Sequence, residues 1–185
     1  MLNPPIANIL PGLIDQDSNL LSNKIVKMKT TIINSTEIKV SEVELRYRTE
    51  IKPADRAQIK SSKDAYNILF ESWNKNTIEF IEEFKVMLVN RANRVLGIAT
   101  LSKGSTTSSI VDIKVLLQYA IKTNASSIII AHNHPSGTKE PSESDKKITE
   151  KISSACNLID IKLLDHLIIL PVEGYLSFAD EGILN

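Results

Sequence analysis

The stretch that most limits what this chain can fold into is the apolar run Ile128-Ile129-Ile130-Ala131, which passes without a break into His132-Asn133-His134-Pro135-Ser136-Gly137. A short β-branched run bounded by a Pro/Gly/Ser-rich loop predicts a strand covered on both faces. Such a strand needs helices on either side, and in open α/β sheets ligands gather where it ends. If the backbone stays extended for two more residues, His132 and His134 project to one side and Asn133 to the other. Two neutral imidazoles facing one point suit zinc, whose tetrahedral sites need further ligands. Asp145 lies eleven residues beyond His134, after a loop containing Pro135, Gly137 and Pro141, and at the start of a predicted helix. It is placed to supply a third ligand. Ser142-Glu143-Ser144-Asp145 also matches a Ser-x-x-acid capping pattern, so these two residues equally well tie down a helix start. A bare His-x-His carries little information. The conjunction of the pieces in one order is what points to a metal site in a chain whose remaining histidine is His166.

Composition closes off several function classes. With 42% hydrophobic and 24% charged residues among 185, the chain is globular rather than disordered, one domain of ordinary size with some excess. Its formal charge of zero offers no electrostatic footprint for tight nucleic-acid binding beyond a local patch. Lys139, Lys146, Lys147 and Lys151 cluster near the loop, where a helix would present them as a solvated face. Cys156, the single cysteine, excludes an intramolecular disulfide, a cysteine-rich zinc site and the Pro-Cys-x-x-Cys of zinc deaminases. It reads as a small buried residue of an amphipathic helix in a reducing compartment, and a cytoplasmic protein is expected. Residues 1–28, with Pro4, Pro5 and Pro11 among scattered polar residues, predict a flexible arm. They contain neither a secretory signal nor a bilayer-spanning run, and Met28 is an alternative translation start.

Along the chain, Thr, Ile and Val enrichment predicts strands over 30–34 and 40–49, followed by a polar connection over 55–60. Ser61 or Ser62 caps a helix carrying Ala65, Leu69 and Trp73 at four-residue spacing. Residues 84–90 and 95–101 form a hairpin at an antiparallel edge. Asp112 caps a helix with Val115, Leu116, Tyr119 and Ala120 on one face. The strand at 126–131 is followed by a helix over 143–156 with Ile148, Ile152 and Ala155 buried, a long strand over 161–170 and a short one over 174–178. The predicted order β-β-α-β-β-α-β-α-β-β implies an α/β fold, with helices packed on a mixed sheet.

His132-x-His134, seven residues, Ser142, two residues and Asp145 resemble the metal-binding pattern of the JAMM (MPN-type) metallohydrolases. The words His132-Asn133-His134-Pro135-Ser136-Gly137, Pro141-Ser142 and Leu164-Asp165-His166 resemble the RadC branch of that family. The similarity runs from about Ser62 to the C-terminus, dividing the chain into an arm (1–28), strands and connection (29–61) and a JAMM/RadC-like domain (62–185). The resemblance implies a cytidine-deaminase-like α/β architecture. It also implies one zinc held by His132, His134 and Asp145 with water in the fourth position, and hydrolysis of an amide, peptide or isopeptide bond in a peptide or protein substrate. It further implies a short form lacking the N-terminal helix-hairpin-helix module of longer members. A second implied reading is an accessory role in DNA repair or recombination, the label RadC families traditionally carry.

Activated water needs a carboxylate base outside the ligand shell, and Glu79, Glu82 and Glu83 are the upstream candidates. Continuing the strand backwards from Phe84, Glu82 is in phase with Phe84, Val86 and Leu88 and points inward, whereas Glu83 is in phase with Lys85. The resemblance selects Glu82 as well, and it implies that Ser142 stabilises the oxyanion of the tetrahedral intermediate. Asp165-His166 is open between a histidine that orients a metal ligand and one satisfied within a sheet. The chain departs from the family at Asp112-Ile113-Lys114, where a His-Pro-Arg-type sequence is usual. Any contact made by that arginine falls to Lys114 at best.

Overall fold

A computed structural model describes residues 29–32, 39–42, 44, 46–104, 111–172 and 174–184. The arm expected over 1–28 lies outside them. The chain divides into two compact units, Met1–Arg46 and Tyr47–Asn185. In the first, β1 (Lys29–Ile32) pairs antiparallel with β2 (Lys39–Glu42), with Lys29 opposite Glu42 and Ile32 opposite Lys39. The strand predicted over 40–49 is therefore shorter: described residues 46–49 are not in a strand, and Val43 and Leu45 of its alternating run lie outside the described residues.

The second unit carries α1 (Ser62–Glu71), β3 (Glu83–Val89), β4 (Val95–Lys103), α2 (Ile113–Lys122), β5 (Ser127–Asn133), α3 (Glu143–Asn157), β6 (Lys162–Ile169) and β7 (Tyr175–Ser177). The sheet order is β4-β3-β5-β6-β7, with β5 and β6 parallel and every other pair antiparallel. The expected order of elements and the mixed sheet are both present. β5 is the middle strand and is buried on both faces. Ile128 and Ile130 pack with Phe84, Val86 and Leu88 against Leu116 and Ala120 of α2 and Ile152 and Cys156 of α3. Ile129 and Ala131 pack with Met87, Val89, Leu167 and Ile169 against Ala65, Tyr66 and Leu69 of α1. This is the consequence of an uninterrupted apolar run: over residues 128–131 neither face of the strand has polar side chains to offer water.

Local signals set the helix starts. The Ser61 hydroxyl accepts from Asp64 N at 3.2 Å, and the Asp112 carboxylate accepts from Lys114 N at 2.9 Å. Three helix expectations need correction. The α1 helix stops at Glu71, so Trp73 keeps the four-residue spacing but is buried from the turn that follows. In α2 the packed face is Ile113, Leu116, Leu117 and Ala120, while Tyr119 is exposed and Val115 only partly covered. These residues lie at spacings of three, four and seven from Ile113, and packing against β3, β4 and α3 selects that face over the stripe through Tyr119. In α3 the buried stripe is Thr149, Ile152 and Cys156, with Ile148 packed beside it and the expected Ala155 only partly covered, so one buried position is polar. Among the described residues no helix is long and apolar enough to cross a membrane.

Asn133, the last residue of β5, turns to the α1 face and uses its whole amide. Its Oδ1 accepts from Trp73 Nε1 at 3.0 Å and from Glu83 N at 2.8 Å, and its Nδ2 donates to the carbonyls of Ile78 at 2.8 Å and Ile81 at 2.9 Å. The segment between α1 and β3 is thereby pinned to the end of β5. Asn133→Ala leaves buried backbone groups and the indole without partners, at about 1–3 kcal/mol for each group that water cannot reach. A loss of about 3 kcal/mol in unfolding free energy by urea titration is expected; a loss below about 1 kcal/mol would show that water replaces the amide.

Burial on the core-facing side of α3 pushes the Cys156 thiol up to about 11. The thiolate is the reactive form, so alkylation of native protein near neutral pH is expected to proceed only as fast as the fold opens. Iodoacetamide labelling that matches the rate of the unfolded chain would contradict this packing.

Candidate metal centre

Two elements of the larger unit bring the metal-ligand candidates together. His132 lies in β5 on the α2/α3 face, opposite to Asn133, as strand alternation requires. His134 follows directly, its backbone N–H donating to the Ile169 carbonyl at 3.0 Å, which keeps the chain extended past the strand end. Asp145 is in the first turn of α3, where the positive end of the helix dipole favours a carboxylate. His132 Nε2 lies 2.9 Å from His134 Nε2 and 3.2 Å from Asp145 Oδ1, and His134 Nε2 lies 3.6 Å from Asp145 Oδ2. Ligands held about 2.0–2.1 Å from a tetrahedral zinc are separated by about 3.3 Å. The spacings from His132 Nε2 to His134 Nε2 and to Asp145 Oδ1 lie near that value, and His134 faces the second carboxylate oxygen, so the residues fit the group; the described residues offer this one triad able to hold a metal ion.

The donor set fits as well. His134 Nδ1 lies 2.7 Å from the Thr138 carbonyl oxygen, which can only accept. The ring proton therefore sits on Nδ1, and Nε2 keeps a lone pair towards the triad. Asp145 both caps and faces the histidines. Ser142 N and Ser142 Oγ each donate to Asp145 Oδ2 at 2.7 Å, and Asp145 N donates back to Ser142 Oγ at 3.2 Å. The capping and metal readings are thus compatible, since Oδ1 is directed to His132 while Oδ2 closes the cap. Burial acts to raise the Asp145 carboxyl, but the two imidazoles facing it and the Ser142 hydroxyl outweigh that and favour its ionised form, well below the usual carboxylate range. The same carboxylate raises the His134 imidazolium against its partial burial, with the Thr138 carbonyl acting in the same sense. Protons and a metal ion compete for this triad.

The three upstream glutamates separate cleanly. Glu79 is exposed. Glu83 is buried and paired with Lys103 at 2.9 Å and Lys85 at 3.3 Å, on the side of the sheet away from the triad. Glu82, half-buried, lines a cavity of about 400 Å³ together with Phe80, His134, Pro135, Thr138 and Ser142. Ser142 is thus at the cavity wall with its proton engaged by Asp145 Oδ2. A larger hollow of about 730 Å³ between α3 and residues 178–184 shares Glu140 with this one but contains none of the triad. Lys114 is exposed on α2, and Lys146 is paired with Glu143 at 2.8 Å.

His166, in β6, is fully buried beside His132, with its Nε2 2.8 Å from His132 Nδ1 and its Nδ1 2.6 Å from Thr149 Oγ1. Asp165 points elsewhere, accepting from Ser177 Oγ, Ala179 N and His166 N. Three contributors escaped sequence reasoning: Asn133, Thr149 and the Thr138 carbonyl. Thr149 alone carried a legible signal, as a polar residue four positions from Asp145 in an otherwise apolar helix stripe.

Residues 59–183 match the RadC-like JAB domain family. Over 126 residues the chain is 43% identical to a UPF0758 protein of Flavobacterium johnsoniae, covering 68% of this chain and 53% of that protein. A UPF0758 protein of Porphyromonas gingivalis is 42% identical over 103 residues, or 56% of this chain and 45% of its own length. The chain spans about half the length of these curated relatives. A UPF0758 protein of Clostridium beijerinckii is 36% identical over 176 residues, which is 95% of this chain and 74% of that protein. With most of the larger unit inside the family match and nearly the whole chain aligned to one relative, this protein belongs to the RadC-like JAB domain family.

Proposed function

We propose that the chain is a zinc-dependent hydrolase of the JAMM type, cleaving an amide, peptide or isopeptide bond in a peptide or protein substrate. The observation that carries this reading is the opening of one cavity onto His134 of the triad, with Glu82 and Ser142 both in its wall. His132, His134 and Asp145 would hold the ion. Zinc held there would supply Lewis-acid chemistry that makes water acidic enough to act near neutral pH.

Glu82, outside the ligand set, is placed to take the proton of the attacking water and to return it to the leaving nitrogen. Ser142 stabilises the developing oxyanion by turning its hydroxyl from Asp145 Oδ2, which keeps the backbone N–H of Ser142 as a donor. Phe80, 65% exposed, and Pro135 give the cavity apolar wall for the substrate flanking the scissile bond. The sheet covered by α1 on one face and α2 and α3 on the other is read as the cytidine-deaminase-like layout, and the lone buried cysteine as that of a cytoplasmic protein. A DNA repair accessory ranks second. It would act through exposed Lys139, Lys147 and Lys151 on a chain of zero formal charge.

Protein prepared without chelator is expected to carry close to one zinc per chain by elemental analysis, and His134→Ala to lose most of it. Equal zinc in both proteins would remove the triad from the metal. Glu82→Gln is expected to keep its zinc and its fold while peptide-bond hydrolysis falls by roughly 10²–10⁴-fold, the usual contribution of a general base. Full hydrolysis in that variant, measured against a peptide library cleaved by the parent, would assign the base elsewhere.

A further inference from the structure

We propose that Thr149 and His166 are positioning residues of the metal centre, forming a hydrogen-bond relay that fixes His132 with its proton on Nδ1 and its Nε2 lone pair directed at the ion. The inference rests on the reading that His132 binds metal. It follows from counting protons along a chain of short contacts. The Asp145 backbone carbonyl can only accept, so the Thr149 hydroxyl, 2.5 Å away, donates to it. With its one proton used, Thr149 Oγ1 can only accept from His166 Nδ1 at 2.6 Å. His166 is fully buried, and the carboxylate next to it in sequence, Asp165, is turned to Ser177 and Ala179. A charged ring there would have no carboxylate hydrogen-bonded to it, so His166 carries a single proton, on Nδ1. Its Nε2 then accepts from His132 Nδ1 at 2.8 Å, leaving His132 Nε2 bare.

The relay closes on itself across three elements. It starts at the backbone of one ligand, Asp145 in α3, passes through His166 in β6 and ends on another, His132 in β5. The rings are clamped as well as bonded: His166 packs tilted at 4.6 Å from Phe178 and 4.9 Å from His132, and His132 lies parallel to Phe84 at 5.8 Å. Metal-binding histidines usually donate their second N–H to a carboxylate, carbonyl or water, and loss of such a partner typically costs about 10–100-fold in metal affinity. Here the acceptor is a neutral imidazole whose own orientation is set by a threonine. This accounts for a polar residue in the buried stripe of α3 and for a histidine in the interior of β6.

The decisive variants differ by one atom type. Thr149→Val keeps the shape and loses the hydroxyl, whereas Thr149→Ser keeps the hydroxyl and loses the methyl. In competition with a chromophoric zinc chelator, the full chain carrying Thr149→Val is expected to bind zinc about 10–100-fold more weakly than the parent, and Thr149→Ser to bind within about threefold of it. A packing role predicts the reverse order, and observing that order, or unchanged zinc affinity in Thr149→Val, overturns the relay. Nitrogen-15 NMR of the unmutated protein needs no variant to fold. With three histidines to assign, it is expected to show Nδ1–H on both His132 and His166, and a proton on His132 Nε2 would overturn the proposal. Parent protein that binds no zinc would instead overturn the metal reading on which the relay depends, a result distinct from zinc-loaded parent with an unaffected Thr149→Val.

Discussion

The amide of Asn133 is the contact on which the geometry of the site depends. It is the last residue of the middle strand, and by alternation it faces α1 while His132 faces α3. Its four hydrogen bonds tie Trp73, Ile78, Ile81 and the start of β3 to the end of β5. Glu82 is the residue between two of those anchors, Ile81 O and Glu83 N. The carboxylate in the cavity is thus placed by a side chain on the opposite face of the sheet, through backbone rather than through any contact of its own.

The buried side chains Glu83, Lys85, His132, Thr149 and His166 each have a partner that offsets their desolvation, whereas Ser102 Oγ in β4 is buried without one. Glu83 and Lys85 are almost fully buried as a pair, with Lys103 reaching Glu83 from the edge strand and Lys85 Nζ also donating to the Ser72 carbonyl at 2.6 Å. Burial lowers the Lys85 ammonium and Glu83 opposes that. Such a pair adds little net stability compared with apolar residues of similar volume, but removing one partner is costly. On the other face, His132, His166 and Thr149 form a chain in which every ring nitrogen has a contact. The apolar packing of β3, β5 and α3 surrounds a narrow polar thread that leads to the candidate triad His132, His134 and Asp145.

Asp145 shows how one residue meets two demands. A helix N-terminus needs an acceptor for its free N–H groups, and a metal site needs a carboxylate that stays ionised. The two oxygens divide the work, Oδ2 closing the capping box with Ser142 and Oδ1 facing His132. Capping and ligation need not be rivals at this position, because a carboxylate has enough lone pairs for both.

What the sequence by itself determined is what depends on neighbours along the chain. The two-faced burial of 128–131, the opposed directions of His132 and Asn133, the caps at Ser61, Asp112 and Ser142, and the phase of Glu82 against Glu83 all follow from strand alternation, helix period and turn chemistry. The face of α2 was misread at Tyr119, since two apolar stripes overlap there and only contact with β3 and β4 chooses between them. Tertiary structure alone decided the rest. Trp73 meets Asn133 and Thr149 meets His166 across chain separations that no local period encodes, and the proton on His132 depends on a hydroxyl in α3 whose own proton is claimed by the carbonyl of a residue one helical turn earlier. Periodic patterns are local because backbone geometry repeats locally. Hydrogen-bond partners inside a core are set by which side chains the packing brings within about 3 Å, and that is a property of the folded molecule.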